Sequence, residues 1–123
     1  MSLPSRILVT GGRDYMRGDW VNGALDMHAE DHVIDAIIQG DCPTGADMLA
    51  RRWAIVNNHH LERYPADWRA HGKAAGPIRN QQMIDEGRPT MVFAFPGGRG
   101  TADMVRRAKA AGIPVYSFGD DHA

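Results

Sequence analysis

The chain has 123 residues, 43% hydrophobic and 24% charged, a composition close to that of ordinary globular domains and far from the signature of disordered chains. This length suits one domain over residues 1–123 and leaves little room for a second. With 14 Lys plus Arg against 15 Asp plus Glu, the chain lacks the overall basic field that holds a nucleic acid backbone, so nucleic acid is disfavoured as a partner.

The single cysteine, Cys42, excludes an intrachain disulfide and fits a reducing compartment. The opening stretch is apolar only from Ile7 to Val9, too short for a signal-peptide core or a membrane span. A soluble cytoplasmic protein without membrane contact is therefore expected. Neither His59-His60 nor the pair His28 and His32 carries Cys or acidic partners at a metal-site spacing. Exposed or capping roles are expected for them, and no metal or cofactor.

In chain order, "RILVTGG" is an apolar run stopping at two glycines, a buried strand that delivers a loop. "DWVNGALDMHAE" spaces Trp20, Ala24 and Met27 or Leu25 at helical intervals despite Gly23. "DAIIQGD" is a second strand ending at glycine. "TGADMLARRWAIVNN" follows as a helix with Met48, Leu49, Trp53 and Val56 as its apolar stripe. "HLERYPA" reads as a short strand closed by Pro65, and "DWRAHGKAAGP" as a longer loop, because it has turn residues and little periodicity. "IRNQQMIDEG" predicts a helix starting near Pro77 and stopping at Gly87. "TMVFAFPGG" is the clearest strand, with Met91, Val92, Phe93 and Phe95 assigned to the core. "TADMVRRAKAAG" is a helix with Lys109 and Gly112 favourably placed at its end, and "IPVYSF" is the last strand.

Strands and helices thus alternate, about five strands with four intervening helices. The pattern predicts an α/β fold, a single Rossmann-like three-layer domain with a mostly parallel sheet and helices on both faces. Ligands of such sheets bind at the carboxyl ends of the strands, where the strand order reverses. Three glycine-bearing loops, "TGGRDY", "QGDCPTGAD" and "FPGGRGTAD", fall at such ends.

Gly40 and Gly45 have the GxxxxG spacing of a phosphate-binding loop, but Ala46 and Asp47 occupy the places of its Lys and Ser or Thr, which excludes a Walker-type ATPase. "TGGRDY" is not a dinucleotide fingerprint either. In "PGGRGTAD", Gly97, Gly98 and Gly100 permit tight turns and Thr101 offers a hydroxyl at a helix start, where unpaired amides and the helix dipole favour an anion. Thr101 as a plain N-cap in a simple turn is the alternative; three such loops at one sheet edge tilt the balance toward a ligand.

The stretches "GGRDY", "GDCPTGADMLARRWA", "ADWRAHGKAAGPIRNQQMI" and "FPGGRGTADMVRRAKAAGIPV" together resemble the bacterial and phage, YspA-type branch of the SLOG superfamily, formerly a domain of unknown function, over most of the chain. The resemblance implies a Rossmann-like fold related to the Lonely Guy phosphoribohydrolases, which cleave the N-glycosidic bond of nucleoside 5′-monophosphates and are usually dimers, and to the DNA-processing protein DprA. Lonely Guy enzymes carry PGGxGTxxE and an upstream catalytic arginine. Here "PGGRGT" matches, Arg79 in "GPIRNQQM" takes a place similar to that arginine, and Met104 replaces the glutamate. Methionine can neither stabilise an oxocarbenium ion nor move a proton, so a displaced carboxylate such as Asp103 would have to serve.

The expected function is binding of a phosphorylated nucleoside or NAD-derived nucleotide through Gly11, Gly12, Arg13, Asp14, Gly40, Asp41, Thr44, Gly45, Arg79, Asn80, Gly97, Gly98, Arg99, Gly100 and Thr101. The alternatives are a phosphoribohydrolase using Arg79 and Asp103, and DprA-like DNA binding. Arg79, placed in the first turn of its helix, opposes the dipole unless an anion sits there; a surface salt bridge is the competing role. Arg13 and Arg99 either clamp phosphate or are solvated. Asp14 and Asp41 are assigned to ribose hydroxyls or to turns, and Asp47 to capping. Trp68 either stacks on a base or joins Trp20 and Trp53 in sealing a homodimer or higher homo-oligomer. Cys42 has no partner base that would make it a nucleophile.

Overall fold

The computed structural model describes residues 3–118. Five strands, β1 (Ser5–Thr10), β2 (Ile34–Gln39), β3 (Leu61–Arg63), β4 (Met91–Ala94) and β5 (Val115–Ser117), form one sheet. All their pairings are parallel, in the order β3-β2-β1-β4-β5. The helices are α1 (Gly18–Ala29), α2 (Gly45–Val56), the four-residue α3 (Trp68–His71), α4 (Ala75–Asp85) and α5 (Arg99–Ala110). The expected α/β, Rossmann-like three-layer architecture is the one observed.

Successive strand residues point to opposite faces of a sheet, and here they sort into two cores. Ile7, Val9, Ile37 and Phe93 pack with Val21 and Leu25 of α1 and with Ala50, Trp53 and Ala54 of α2. Leu8, Ile38 and Val92 pack on the other face with Met83 and Ile84 of α4 and with Met104 and Ala108 of α5. The register fixes this division, since Leu8 pairs with both Ile38 and Val92. Parallel strands buried on both faces read as the near-continuous apolar runs seen in the sequence.

Four expectations need correction. The 67–77 segment is not a loop: α3 and a 3₁₀ turn at Gly72–Ala74 fill it and lead into α4, which begins at Ala75 rather than at Pro77. Every residue of α3 and of the turn is exposed, so no apolar stripe announced them. The inner face of α1 is Val21 and Leu25, while Met27 is 72% exposed. The inner face of α2 runs through Ala46, Ala50, Trp53 and Ala54, leaving Val56 78% exposed, because small alanines let the helix approach the sheet closely. Met91 is only half-buried, unlike Val92, Phe93 and Phe95.

The chain leaves β1 toward β2 and β3 on one side, then returns past β1 to β4 and β5 on the other. The strand order therefore reverses between β1 and β4, which opens a crevice at their carboxyl ends.

Candidate functional site

A cleft of about 1110 Å³ occupies that crevice. Its floor is the loop after β1 (Gly11 to Tyr15), the end of β2 at Gly40, and the loop after β4 (Pro96 to Gly98) leading into α5. One residue ties these loops together. Gly12 donates its N–H to the Pro96 carbonyl at 2.9 Å and accepts at its own carbonyl from Ala46 and Tyr15 at 3.2 Å each.

Two glycines make this packing sterically feasible. Gly45 has φ +71°, a left-handed conformation, and a Cβ there would lie 2.7 Å from Arg13 Cα and closer still to the Gly12 carbonyl oxygen. A Cβ at Gly97 would come within 2.6 Å of the Gly12 nitrogen and collide with the Thr101 hydroxyl.

Helix α5 starts at Arg99 behind Gly98, and its first turn closes where the Ala102 N–H meets the Gly98 carbonyl at 3.1 Å. The preceding amides have no intrahelical acceptor. Gly98, Arg99, Gly100, Thr101 and Ala102 all border the cleft, so these donors and the positive end of the helix dipole open into it. Thr101, expected as an N-cap in the alternative reading, lies inside the first turn, and the cap position is Gly98.

Arg79 lies two residues deeper in its helix than the sequence suggested, in the second turn, which eases the conflict with the dipole. It is no surface salt bridge. Its guanidinium donates to the carbonyls of Gly40 at 2.7 Å and Tyr64 at 3.3 Å, and through Nε to Asn80 Oδ1 at 3.1 Å. A Cβ at Gly40 would lie 2.8 Å from Arg79 Cζ and 3.0 Å from Asp47 Oδ2, so glycine is what lets these two side chains converge on the end of β2. Burial pushes the Arg79 guanidinium below its ordinary value, partly offset by the charge of Asp47. Burial likewise pushes the Asp47 carboxyl up, against the lowering effect of the Cys42 N–H at 3.1 Å and of Arg79 and Arg51.

Asp103 borders the cleft but is fully engaged. It accepts from Asn80 Nδ2 at 3.0 Å, Arg106 Nη2 at 2.6 Å and Arg107 Nε at 2.8 Å. Burial alone would raise its pKa; the bonds from Arg107 and Asn80 and the charges of Arg107 and Arg106 outweigh burial and hold it below the usual carboxylate range. Met104 is fully buried in the core beneath α5. The position of the Lonely Guy glutamate thus faces away from the cleft in this chain.

The structure brings together at this cleft Gly11, Gly12, Arg13 and Asp14 from the first loop, Gly40 from the second, and Gly97 to Thr101 from the third, with Arg79, Asn80 and Asp103. Asp41, Thr44 and Gly45 do not border it. Asp41 turns outward at φ +61° to face Arg51 at 3.5 Å and Arg63 at 3.7 Å. Thr44 caps α2 by position without a side-chain bond, and Gly45 is consumed in packing against Gly12.

Asp47, Cys42, Tyr15, Lys73 and Arg106 border the cleft beyond the residues expected. Lys73 stands in the segment read as a loop. Asp47 follows Gly45 at the start of α2, where capping explained it locally. Trp68 borders the cleft, 49% exposed, with the Arg13 guanidinium 5.5 Å above its ring. Trp53 is buried and donates to Asp26 at 2.8 Å, which removes it from any subunit interface. His28 is half-buried and bonded to Ser5 at 2.9 Å, neither exposed nor capping.

Fold and cleft together define a Rossmann-like domain with a crevice at its topological switch point. The chain belongs to the YspA, cpYpsA-related SLOG family, whose model matches residues 5–71. It is also 39% identical over 124 residues to the Gene 61 protein of Mycobacterium phage D29, an alignment covering 94% of this chain and 97% of that protein. Among the described residues, no helix is long and apolar enough to cross a membrane.

Proposed function

We propose that the cleft binds a phosphorylated nucleoside, with its phosphate at the N-terminus of α5 and its base toward Trp68. The observation that carries this reading is the opening of unpaired α5 amides into a cleft bordered by five cationic side chains, Arg13, Lys73, Arg79, Arg99 and Arg106, against three carboxylates, Asp14, Asp47 and Asp103. That excess of positive charge sits in a chain of formal net charge −1, so it is local. Arg99 and Thr101, at the mouth of the helix, supply the side-chain donors for phosphate. Trp68 supplies an aromatic face of the kind on which a base stacks. SLOG family membership accords with a nucleotide-related ligand.

The test is a thermal-shift panel of AMP, GMP, CMP, UMP, NAD, ADP-ribose and cyclic nucleotides. A ligand at ~100 times its dissociation constant stabilises by roughly 2.7 kcal/mol, which for a domain of this size is a rise of roughly 10 °C. No shift with any of them would defeat the reading.

Phosphoribohydrolase activity has less support, because Asp103 has both oxygens occupied and position 104 is in the core. Base release from AMP that disappears in Arg79→Ala would establish it. Self-association through the exposed Trp20 and Trp68 is likewise a proposal, tested by light scattering, where a monomer would refute it.

A further inference from the structure

The charges of the cleft are not evenly neutralised. Of its three carboxylates, Asp14 is on an exposed loop and Asp103 is bonded to two arginines and an asparagine. Asp47 differs from both. It is half-buried, its Oδ2 accepts from the Cys42 N–H at 3.1 Å, and it forms no ion pair among the described residues. Its partners are the backbone N–H groups of Cys42 and Gly40, and no side chain bonds it among those residues. Backbone thus holds at the cleft a carboxylate that no side-chain donor satisfies.

A half-buried carboxylate with no side-chain donor repels phosphate and attracts a neutral donor. The sheet order sets this point apart from the phosphate end. Gly40, which Asp47 approaches, follows β2 and α5 follows β4, with β1 between them. A sugar 5′-phosphate lying across the end of β1 would face both. Sugar hydroxyls are the donors such a ligand presents there, and Arg79, across Gly40, can donate to the oxygen of the same hydroxyl.

We propose that Asp47 reads the ribose hydroxyls of the ligand and makes the cleft selective for ribonucleotides over deoxyribonucleotides. This rests on the nucleotide reading of the cleft. It moves the sugar contact from Asp41, which faces Arg51 and Arg63 outside the cleft, to a residue whose sequence context favoured capping. Burial pushes the Asp47 carboxyl up, which strengthens its pull on a hydroxyl proton while it remains ionised.

The experiment is calorimetric titration of the full chain with AMP, GMP, CMP and UMP, each beside its 2′-deoxy and 3′-deoxy analogue, repeated on Asp47→Asn. Loss of a hydroxyl bound to a carboxylate is expected to weaken binding about tenfold or more. In Asp47→Asn, the Cys42 N–H captures the amide oxygen and an NH₂ group faces the hydroxyl, so the ratio between ribo and deoxy forms is expected to fall to about two- or threefold. A purely structural Asp47 would weaken both forms alike and leave the ratio unchanged, which would overturn the proposal. Deoxy analogues binding the wild-type chain within twofold of the parents would also overturn it, with no variant needed. So would discrimination that follows the exocyclic amine, as between AMP and IMP, in place of the hydroxyls. Binding by none of the monophosphates would remove the nucleotide reading and this proposal together.

Discussion

Replacing Gly45 with alanine tests the packing that builds the cleft floor. The backbone there is left-handed at φ +71°, which costs a non-glycine residue about 1–2 kcal/mol. The new Cβ would also stand 2.7 Å from Arg13 Cα and nearer still to the Gly12 carbonyl. Both neighbours are main chain, so relief requires the loop after β1 to move, at a further cost of about 1–3 kcal/mol. A loss of about 3 kcal/mol is expected, roughly a 10 °C fall in Tm for a domain of this length. Gly23→Ala is the internal control, because Gly23 lies inside α1 and nothing lies within 4 Å of its Cβ; it is expected to leave stability unchanged or raise it by up to about 1 kcal/mol. Urea denaturation and thermal melting of the two variants decide the matter. If Gly45→Ala melts within 2 or 3 degrees of the wild type, a small margin on this scale, the account of the loop contact is wrong.

Three further outcomes are expected. Met104→Glu, which restores the glutamate of the Lonely Guy pattern, would place an unpaired carboxylate at a fully buried position and cost several kcal/mol, a large share of the ~5–15 kcal/mol of a typical domain. A folded Met104→Glu that gains base-releasing activity on AMP would contradict the placement of this side chain in the core. Arg79→Ala leaves the Gly40 and Tyr64 carbonyls without their donor; stability is expected to fall by about 1–3 kcal/mol and the nucleotide-induced thermal shift to vanish, so an undiminished shift would remove Arg79 from the site. Burial, and then the charge of His32, lower the His28 pKa, with Asp31 opposing them. The folded state therefore resists protonation, and stability should be full above the unfolded histidine value of ~6.5 and decline as pH falls from there toward the lower folded value. His28→Gln should flatten that decline in denaturation curves between about pH 8 and 5, and parallel slopes would refute the assignment.

The centre of the sheet was legible because β1, β2 and β4 are buried on both faces and so appear as apolar runs that lead into glycine loops, while the exposed edge strands β3 and β5 gave a weaker signal. The helices' existence was legible, but their inner faces were not. In α2, the close approach is made by Ala46, Ala50 and Ala54, whose small side chains carry a weak periodic signal beside Met48 and Val56. The short α3 was invisible because an exposed helix has no buried stripe to reveal. For the cleft, the glycine loops marked the right sheet edge, while the direction of each side chain depended on turns that composition does not encode. Asp41 at φ +61° swings out to its arginines, and Asp47, six residues on, swings in.

The contacts of Gly12 give the loops a shared fate. One residue accepts at its carbonyl from the start of α2 and donates its N–H to the loop before α5, so these segments are expected to open together. In hydrogen–deuterium exchange, the amides of Gly12 and Ala46 should open as one cooperative unit, and an anion captured at α5 should slow both. Occupancy at one strand end would thereby be felt as rigidity at two others.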